Sequence, residues 1–589
     1  MTNDGTAVNV PSAQEEDTNA PHQLQLDPNI SAPALVGYIL VRCLPLGLAA
    51  VAQFSIGTAL FSLVGRMVGT EQLGATTLAF GLLYATAFSA SAGCCGALET
   101  LLSHSYGHDP NSKLYGVYSQ RMAILLLIVA FLFGPLLAYA DVILTSIGQN
   151  VVVARYTGEF CRIALFGVYP AMVLELLRRY FACQHMNNPL SVNLVCGAAI
   201  FPFLLFALIS MFDYTGAPLG WVILQILMPA SLFVYLWKTK RYTKTWGGWS
   251  KSALTNWGPM LKLAIPSCAM LLSEWAALEV NSIFAGFAPP SHLAAHSIVY
   301  QTSALMWNLT SGLYIVVTVL VGNAIGRGQN RFARRCALYC LVMTLCFSLV
   351  NIAVIFSLRH VIPYVFTTNQ ESIDLYEKLL KYFFVYHIFD LFQSCMMGVL
   401  RGCGLQTIGA VFIAIVYSVV GVPVGAVLFF KMDMGVAALW FGPAFGVTCI
   451  GFPSYVYLFF RYIKWDELTA VKEDGLSLGS EEDERVLRET CPPSECGDAA
   501  SRDEGEAGDA KSPNEERNDA VSNFSFTSHL TDFVIPQRNN ILLVGGVVGA
   551  AVGANASLEA APDAPTGESV RSPSSPNVAA VGVLTARSR

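Results

Sequence analysis

Three carboxylates stand where chemistry needs a reason for them. Glu274 and Glu279 lie in the apolar run 266–287, and Asp390 lies in the run 383–400. In a membrane span an acidic side chain costs roughly 2.5 to 3.5 kcal/mol at mid-helix, so it is protonated, paired or open to a wet cavity. The expected chemistry is therefore a proton or cation pathway. On a helix His387, Asp390 and Ser394 are three and four residues apart and share a face, with Arg401 seven beyond Ser394. Glu274 and Glu279 are five apart, about 140° around the helix, and do not both point into one cavity. Glu274 is thus expected to carry the proton opposite Asp390, with Glu279 further out or on the substrate's way in. Trp275, Asn281, Tyr300, Gln301 and Gln53 are candidate cavity-lining residues. A buried acid could instead be satisfied by Asn281, a serine or a backbone carbonyl, and His387 could be a packed, hydrogen-bonded histidine.

The elements that must hold these groups are membrane helices. The 589 residues are 54% hydrophobic and 13% charged, with a mean hydropathy of +0.51. Runs of about 20 apolar residues, each able to cross a ~30 Å hydrocarbon core, recur between 44 and 460. Roughly twelve are expected, at 44–64, 74–100, 120–140, 160–182, 190–212, 217–237, 265–287, 294–322, 336–357, 378–400, 406–430 and 435–460. Basic residues favour one set of loops by about three to one, which places the N-terminus and both ends of the helical region in the cytoplasm. The Arg327 to Arg335 cluster reads as part of that anchor.

The expected organisation is a disordered cytoplasmic N-terminus (1–33), an N-lobe of six spans (34–240), a basic linker (241–258), a C-lobe of six spans (259–465) and an acidic, low-complexity cytoplasmic tail (466–589). No cleavable signal peptide is expected, so the first span inserts the chain. The apolar segment 541–554 could be a thirteenth helix, but it is glycine-rich and shorter than the roughly 17 residues of a minimal span. The fifteen cysteines are scattered through the spans or, at Cys491 and Cys496, lack a second pair. No metal and no cofactor is implied. HExxH, GxSxG and P-loop patterns are absent from the spans, which argues against an intramembrane enzyme and an ATP-driven pump.

The two halves repeat. At an offset of about 220 residues Pro45 meets Pro266, Gly65 meets Gly286, Ala75 meets Ala295, Gly107 meets Gly326 and Asn111 meets Asn330. Asp213 before Trp221 resembles Asp433 before Trp440. Because six spans is an even number, both lobes have one orientation, and the repeat is parallel. At the same distance from the repeated proline the first half has Gln53 where the second has Glu274. An amide cannot release a proton, so coupling at this position belongs to the C-lobe.

The chain resembles the multidrug and toxic compound extrusion (MATE) family, in particular its eukaryotic branch. The resemblance spans about residues 40 to 465 and rests on Ala97-Leu-Glu-Thr100, Ser105-Tyr-Gly107, Trp246-Gly-Gly-Trp-Ser250, Leu263-Ala-Ile-Pro266, Glu274-Trp-Ala-Ala-Leu-Glu279, Ser297-Ile-Val-Tyr300, Val321-Gly-Asn323 and Val399-Leu-Arg-Gly-Cys-Gly404. It implies an all-α polytopic antiporter that exports organic molecules or xenobiotics, often cationic, in exchange for protons or in some bacterial members sodium. It also implies that Glu274, Glu279, Asp390 and His387 form the proton and substrate site. The first-span aspartate of many prokaryotic members has no counterpart near Leu60, which favours protons over sodium. The eighth-span glutamate of animal members is Gln301 here.

A small organic substrate and the bilayer are the expected partners, nucleic acid is not, and the chain is expected to act as a monomer. The membrane is either the plasma membrane or that of an acidic organelle. Two other functions compete with export. A lipid-linked saccharide flippase of related two-lobe fold would require a strongly basic cavity, and a polytopic receptor would need no gradient. Glu175 with Arg178 and Arg179 is expected to be a local ion pair, and Glu99 either a conformational latch or a helix cap.

Overall fold

The computed structural model describes residues 28–469. The expectations for residues 1–27 and for the tail with its 541–554 segment lie outside the described residues. Eleven helical stretches are long and apolar enough to cross a bilayer. One of them, Asn187–Thr239, has 53 residues, far more than a ~30 Å core requires. It folds back at Asp213, which takes a positive φ of +54° in the turn, and so contributes two crossings.

There are thus twelve crossing helices among the described residues. The first lobe contains α1 (Ala32–Met67), α2 (Thr70–His108), α3 (Leu114–Ala138), α4 (Val151–Cys183), α5 (Asn187–Phe212) and α6 (Gly216–Thr239). The second contains α7 (Gly258–Ala285), α8 (Pro290–Gly326), α9 (Asn330–Leu358), α10 (Gln370–Gly402), α11 (Gln406–Phe430) and α12 (Ala437–Tyr462). Helices suit this setting because they satisfy their backbone groups internally where no water can. The outward faces stay apolar: Phe131, Phe166 and Phe203 are more than 70% exposed, as expected where the surrounding solvent is lipid.

The predicted repeat is visible in the backbone. Pro45 and Pro266 lie inside α1 and α7, where each removes one helical hydrogen bond and favours a bend. Asp213 and Asp433, matched in sequence, both adopt positive φ, at +54° and +51°. The largest departure from the sequence expectation is α1, which begins at Ala32 rather than near residue 44. Its first turns pack Leu35 and Ile39 into the core at 0% exposure.

The lobes meet where α1 and α2 face α7 and α8, and they meet at one end of the bundle. There α2 is buried without a break from Gly93 to Gly107, and α8 from Ile315 to Gly326. Glycine makes this approach feasible. A Cβ at Gly107 would collide with the Asn323 carbonyl and one at Gly326 with the His104 carbonyl, so the backbones of α2 and α8 touch directly. At the same end Thr100 donates to the Arg401 carbonyl (2.8 Å), Gln406 donates to Thr100 (2.7 Å), and His104 Nε2 donates to the Gly402 carbonyl (2.7 Å). The connection after α6 packs on the N-lobe, with Gln120 bonded to Gly248 and Ser250 and Arg121 to the Ser252 carbonyl. Towards the opposite end the facing helices are only partly buried, which leaves a cleft between the lobes.

His185, in the turn between α4 and α5, completes the closed end. Its Nε2 accepts from Asn323 of the other lobe (2.9 Å), and its carbonyl accepts from Arg42 (3.0 Å). The Tyr106 ring packs edge-on against it. Burial, with Arg42 and Arg327 nearby, pushes this imidazole down from 6.5 to about 3. The unfolded chain therefore takes up the proton first, and stability falls as pH drops below about 6.5 toward about 3. Thermal unfolding in detergent should show this loss, at most about 1.4 kcal/mol per pH unit, and His185→Gln should flatten that part of the profile.

Candidate functional site

Asp390 sits on α10 with 2% of its surface exposed. Tyr386, one turn earlier on the same helix, donates to its Oδ1 at 3.0 Å, and Tyr417 of α11 donates to the same oxygen at 2.7 Å. Tyr417 lies in a π-helical stretch, Ala414–Gly421, whose wider turns change the register at which side chains leave the helix. One turn further along α10, Gln393 accepts from Tyr455 of α12 at 3.0 Å. The aspartate is thus clamped on one oxygen within a polar layer shared by α10, α11 and α12.

Glu274 differs in kind. It is half-buried on α7, no side-chain hydrogen bond holds it among the described residues, and it lies within electrostatic reach of Asp390 and Arg401. The structure therefore brings Glu274 and Asp390 together, one carboxyl fixed and one free. Trp275 beside it faces Tyr84 of α2 with ring centroids 6.4 Å apart, an aromatic pair formed by residues of both lobes. Tyr84 is 46% exposed, so the pair borders open space.

The remaining expectations divide. Glu279 is exposed and accepts from Tyr300 at 3.3 Å, one and a half turns away from Glu274 and apart from Asp390, as its helical angle implies. Gln301 is exposed. Asn281 does not line the cavity: it is buried and its amide donates to the Leu439 carbonyl of α12. His387, Asp390 and Ser394 lie along one stripe of α10 by their spacing, but α10 is surrounded and the three reach different neighbours. His387 accepts through Nε2 from Asn351 of α9 (3.2 Å), which also donates to Thr310 of α8 (2.9 Å). Ser394 accepts from the Trp307 indole (3.1 Å) and lines a small cavity between α8, α9 and α10. Only Asp390 of the three turns toward α11.

The N-lobe holds a second charged network. Glu99 is fully buried on α2 and lies 3.4 Å from Arg179 of α4, which is 2.7 Å from Glu175; Glu175 in turn is 3.0 Å from Arg178. Arg178 Nη1 also donates to Gln53 of α1 at 2.7 Å. The expected ion pair of Glu175 is present but is the middle of a longer chain. Glu99 is not a cap, since it lies nine residues before the end of α2 and is tied to α4. The sequence reading missed Tyr386, Tyr417 and the Gln53–Arg178 bond. Of these only Tyr386, four residues from Asp390, carried a local signal.

This fold and these sites can be set against known proteins. The MatE family model matches residues 45–208 and again 266–427, together more than half of the chain. The chain belongs to the MatE family. The two matches of the MatE model begin at Pro45 and Pro266, the pair that opens the internal repeat. Human multidrug and toxin extrusion protein 1 is 33% identical over 405 residues, covering 68% of this chain and 70% of its own. The protein of that name from Danio rerio is 29% identical over 422 residues, 71% of each chain. The solved structure of the eukaryotic MATE transporter AtDTX14 superposes with a TM-score of 0.68 at 25% identity, covering 74% of this chain and 97% of its own. A transporter from Pyrococcus furiosus has the same fold, with a TM-score of 0.66 at 17% identity. This MatE protein is accordingly a secondary transporter and not an enzyme, and the flippase alternative is not favoured.

Arg179 is 6% exposed and the cation between two carboxylates, so its loss leaves Glu99 and Glu175 facing each other in an apolar wall. Arg179→Met should destabilise the folded transporter by about 3 to 5 kcal/mol, the usual result of breaking a buried ion pair from one side. Chemical denaturation of the purified protein measures it.

Proposed function

We propose that this transporter exports small organic molecules, cations among them, in exchange for protons, with Glu274 as the group that carries the proton and Asp390 as its fixed partner. The observation that supports this is the contrast between the two acids. Asp390 is clamped by two tyrosine hydroxyls, whereas Glu274 has no side-chain hydrogen-bond partner among the described residues and borders the cleft. A free carboxyl in an apolar wall is stable protonated or beside a cation, and intermediate states are costly. A proton and an organic cation therefore compete for one place. Arrival of the proton releases the cation, and arrival of the cation expels the proton. Because either occupant neutralises the site, the lobes can close over it, and an empty ionised site resists closure. Glu279 and Tyr300, nearer the open end, act on the substrate's path.

The orientation follows from charge. Arg42, Lys113, Lys240, Arg327 and Arg335 lie at the closed end, so this end faces the cytoplasm, the N-terminus is cytoplasmic, and the cleft opens away from it. Relatives named for multidrug and toxin extrusion support export as the working direction. Protons are favoured over sodium because α1 offers Gln53, already bonded to Arg178, and no carboxylate. Either the plasma membrane or an acidic organelle supplies the gradient, and a single copy of the chain contains the whole site.

The test is uptake of a fluorescent organic cation into proteoliposomes under an imposed pH gradient. Wild type should follow the gradient, and Glu274→Gln and Asp390→Asn should each lower gradient-driven transport at least tenfold, about 1.4 kcal/mol or more. Undiminished gradient-driven transport in both variants would make the acids structural and remove the reading.

A further inference from the structure

The internal repeat places Gln53 of α1 where α7 has Glu274, and the surroundings of the two positions have opposite polarity. Around Glu274 the wall offers the Asp390 carboxylate, with Arg401 also within electrostatic reach. Around Gln53 it offers donors: among the described residues Gln53 turns its amide oxygen to Arg178 and leaves its Nε2 without a partner, and Arg178 uses only Nη1, for both Gln53 (2.7 Å) and Glu175 (3.0 Å). Nη2 and Nε of Arg178 have no partner among the described residues. The neighbouring Glu175 divides its two oxygens between Arg178 and Arg179, so it offsets Arg178 only in part. Along the network the charges alternate from Glu99 through Arg179 and Glu175 to Arg178, so the buried end is negative and the end at Gln53 positive. Both Gln53 and Arg178 are half-buried rather than enclosed. Tyr84, within electrostatic reach of Arg178, packs against Trp275, the residue next to Glu274. The aromatic pair thus stands between a donor pole in the N-lobe and an acidic pole in the C-lobe.

We propose that Gln53 and Arg178 form a second recognition pole, which takes the carboxylate of a zwitterionic substrate whose cationic end sits at Glu274 and Asp390. The inference rests on the exchange reading above for the cationic end. A guanidinium edge with an amide N–H beside it matches a planar carboxylate, and a flat ring system bridging the two poles would stack on Tyr84 and Trp275. Recognition from both lobes at once also gives the substrate a direct hold on their relative position.

The experiment uses the full chain in proteoliposomes with a rhodamine methyl ester, which is a cation, and the free acid of the same dye, which is a zwitterion. The quantity read is the ratio of zwitterion to ester transport. Wild type should carry both, and Arg178→Gln should lower the ratio about tenfold, the scale of one charge-assisted hydrogen bond at a partly wet site. Gln53→Glu, which keeps a partner for Arg178 and the Arg178–Glu175 ion pair, should lower it similarly, and Arg178→Lys by less. A ratio that none of the three variants changes, or a wild type that excludes the zwitterion, overturns the proposal. If the ratio shifts with Arg178 and Gln53 while transport ignores both the pH gradient and Glu274→Gln, the donor pole stands and the coupling reading falls.

Discussion

Everything here follows from one constraint: a charge inside a bilayer must be paired, hydrogen-bonded or wetted. The chain meets it differently in its two lobes. In the N-lobe four charged side chains neutralise one another, from Glu99 to Arg178, and no proton has to move. In the C-lobe the negative charges outnumber their cations, and two tyrosines immobilise one of them while the other is left to the cleft. A common helical scaffold, repeated in parallel, thereby has one half suited to holding its shape and the other, on the proposed reading, suited to exchanging an ion.

Exchange also needs a boundary that can open. The closed end is built from backbone contacts through Gly107 and Gly326 and from a small set of side-chain bonds around Thr100, His104 and His185. Leu46 of α1 also packs there near Ile315, Val316, Val319 and Leu320 of α8, so opening this end exposes apolar side chains as well as breaking those bonds. Arg401 stands beside this boundary. Its carbonyl accepts from Thr100 of the other lobe, and its guanidinium lies within electrostatic reach of both Glu99 and Glu274. The proposed exchange site and the contact that seals the lobes thus share a residue.

Much of the fold was legible because lipid imposes length and composition on each span. The twelve helices, the parallel repeat and the paired turns at Asp213 and Asp433 all left periodic or matched residues in the chain. Glu274 and Asp390 were legible for the same reason, as polar residues where apolar ones are the rule. What could not be read was the rotation of each helix against its neighbours. Tyr417 meets Asp390 from another helix through a π-helical register shift, and Arg178 meets Gln53 across 125 residues. His387, Asp390 and Ser394 share a stripe in projection yet reach three different partners, because α10 is enclosed and no side of it faces a single cavity.

The claim on which the account turns is that the lobes separate at the end where they now touch. Cys94 on α2 and Cys268 on α7, one in each lobe, have their sulfurs 3.8 Å apart across that contact. In a variant with the other cysteines replaced, oxidation to a Cys94–Cys268 disulfide followed by a transport assay in proteoliposomes tests it directly. The account predicts that the cross-link stops transport and that reductant restores it. Transport continuing at full rate with the lobes covalently joined would contradict it.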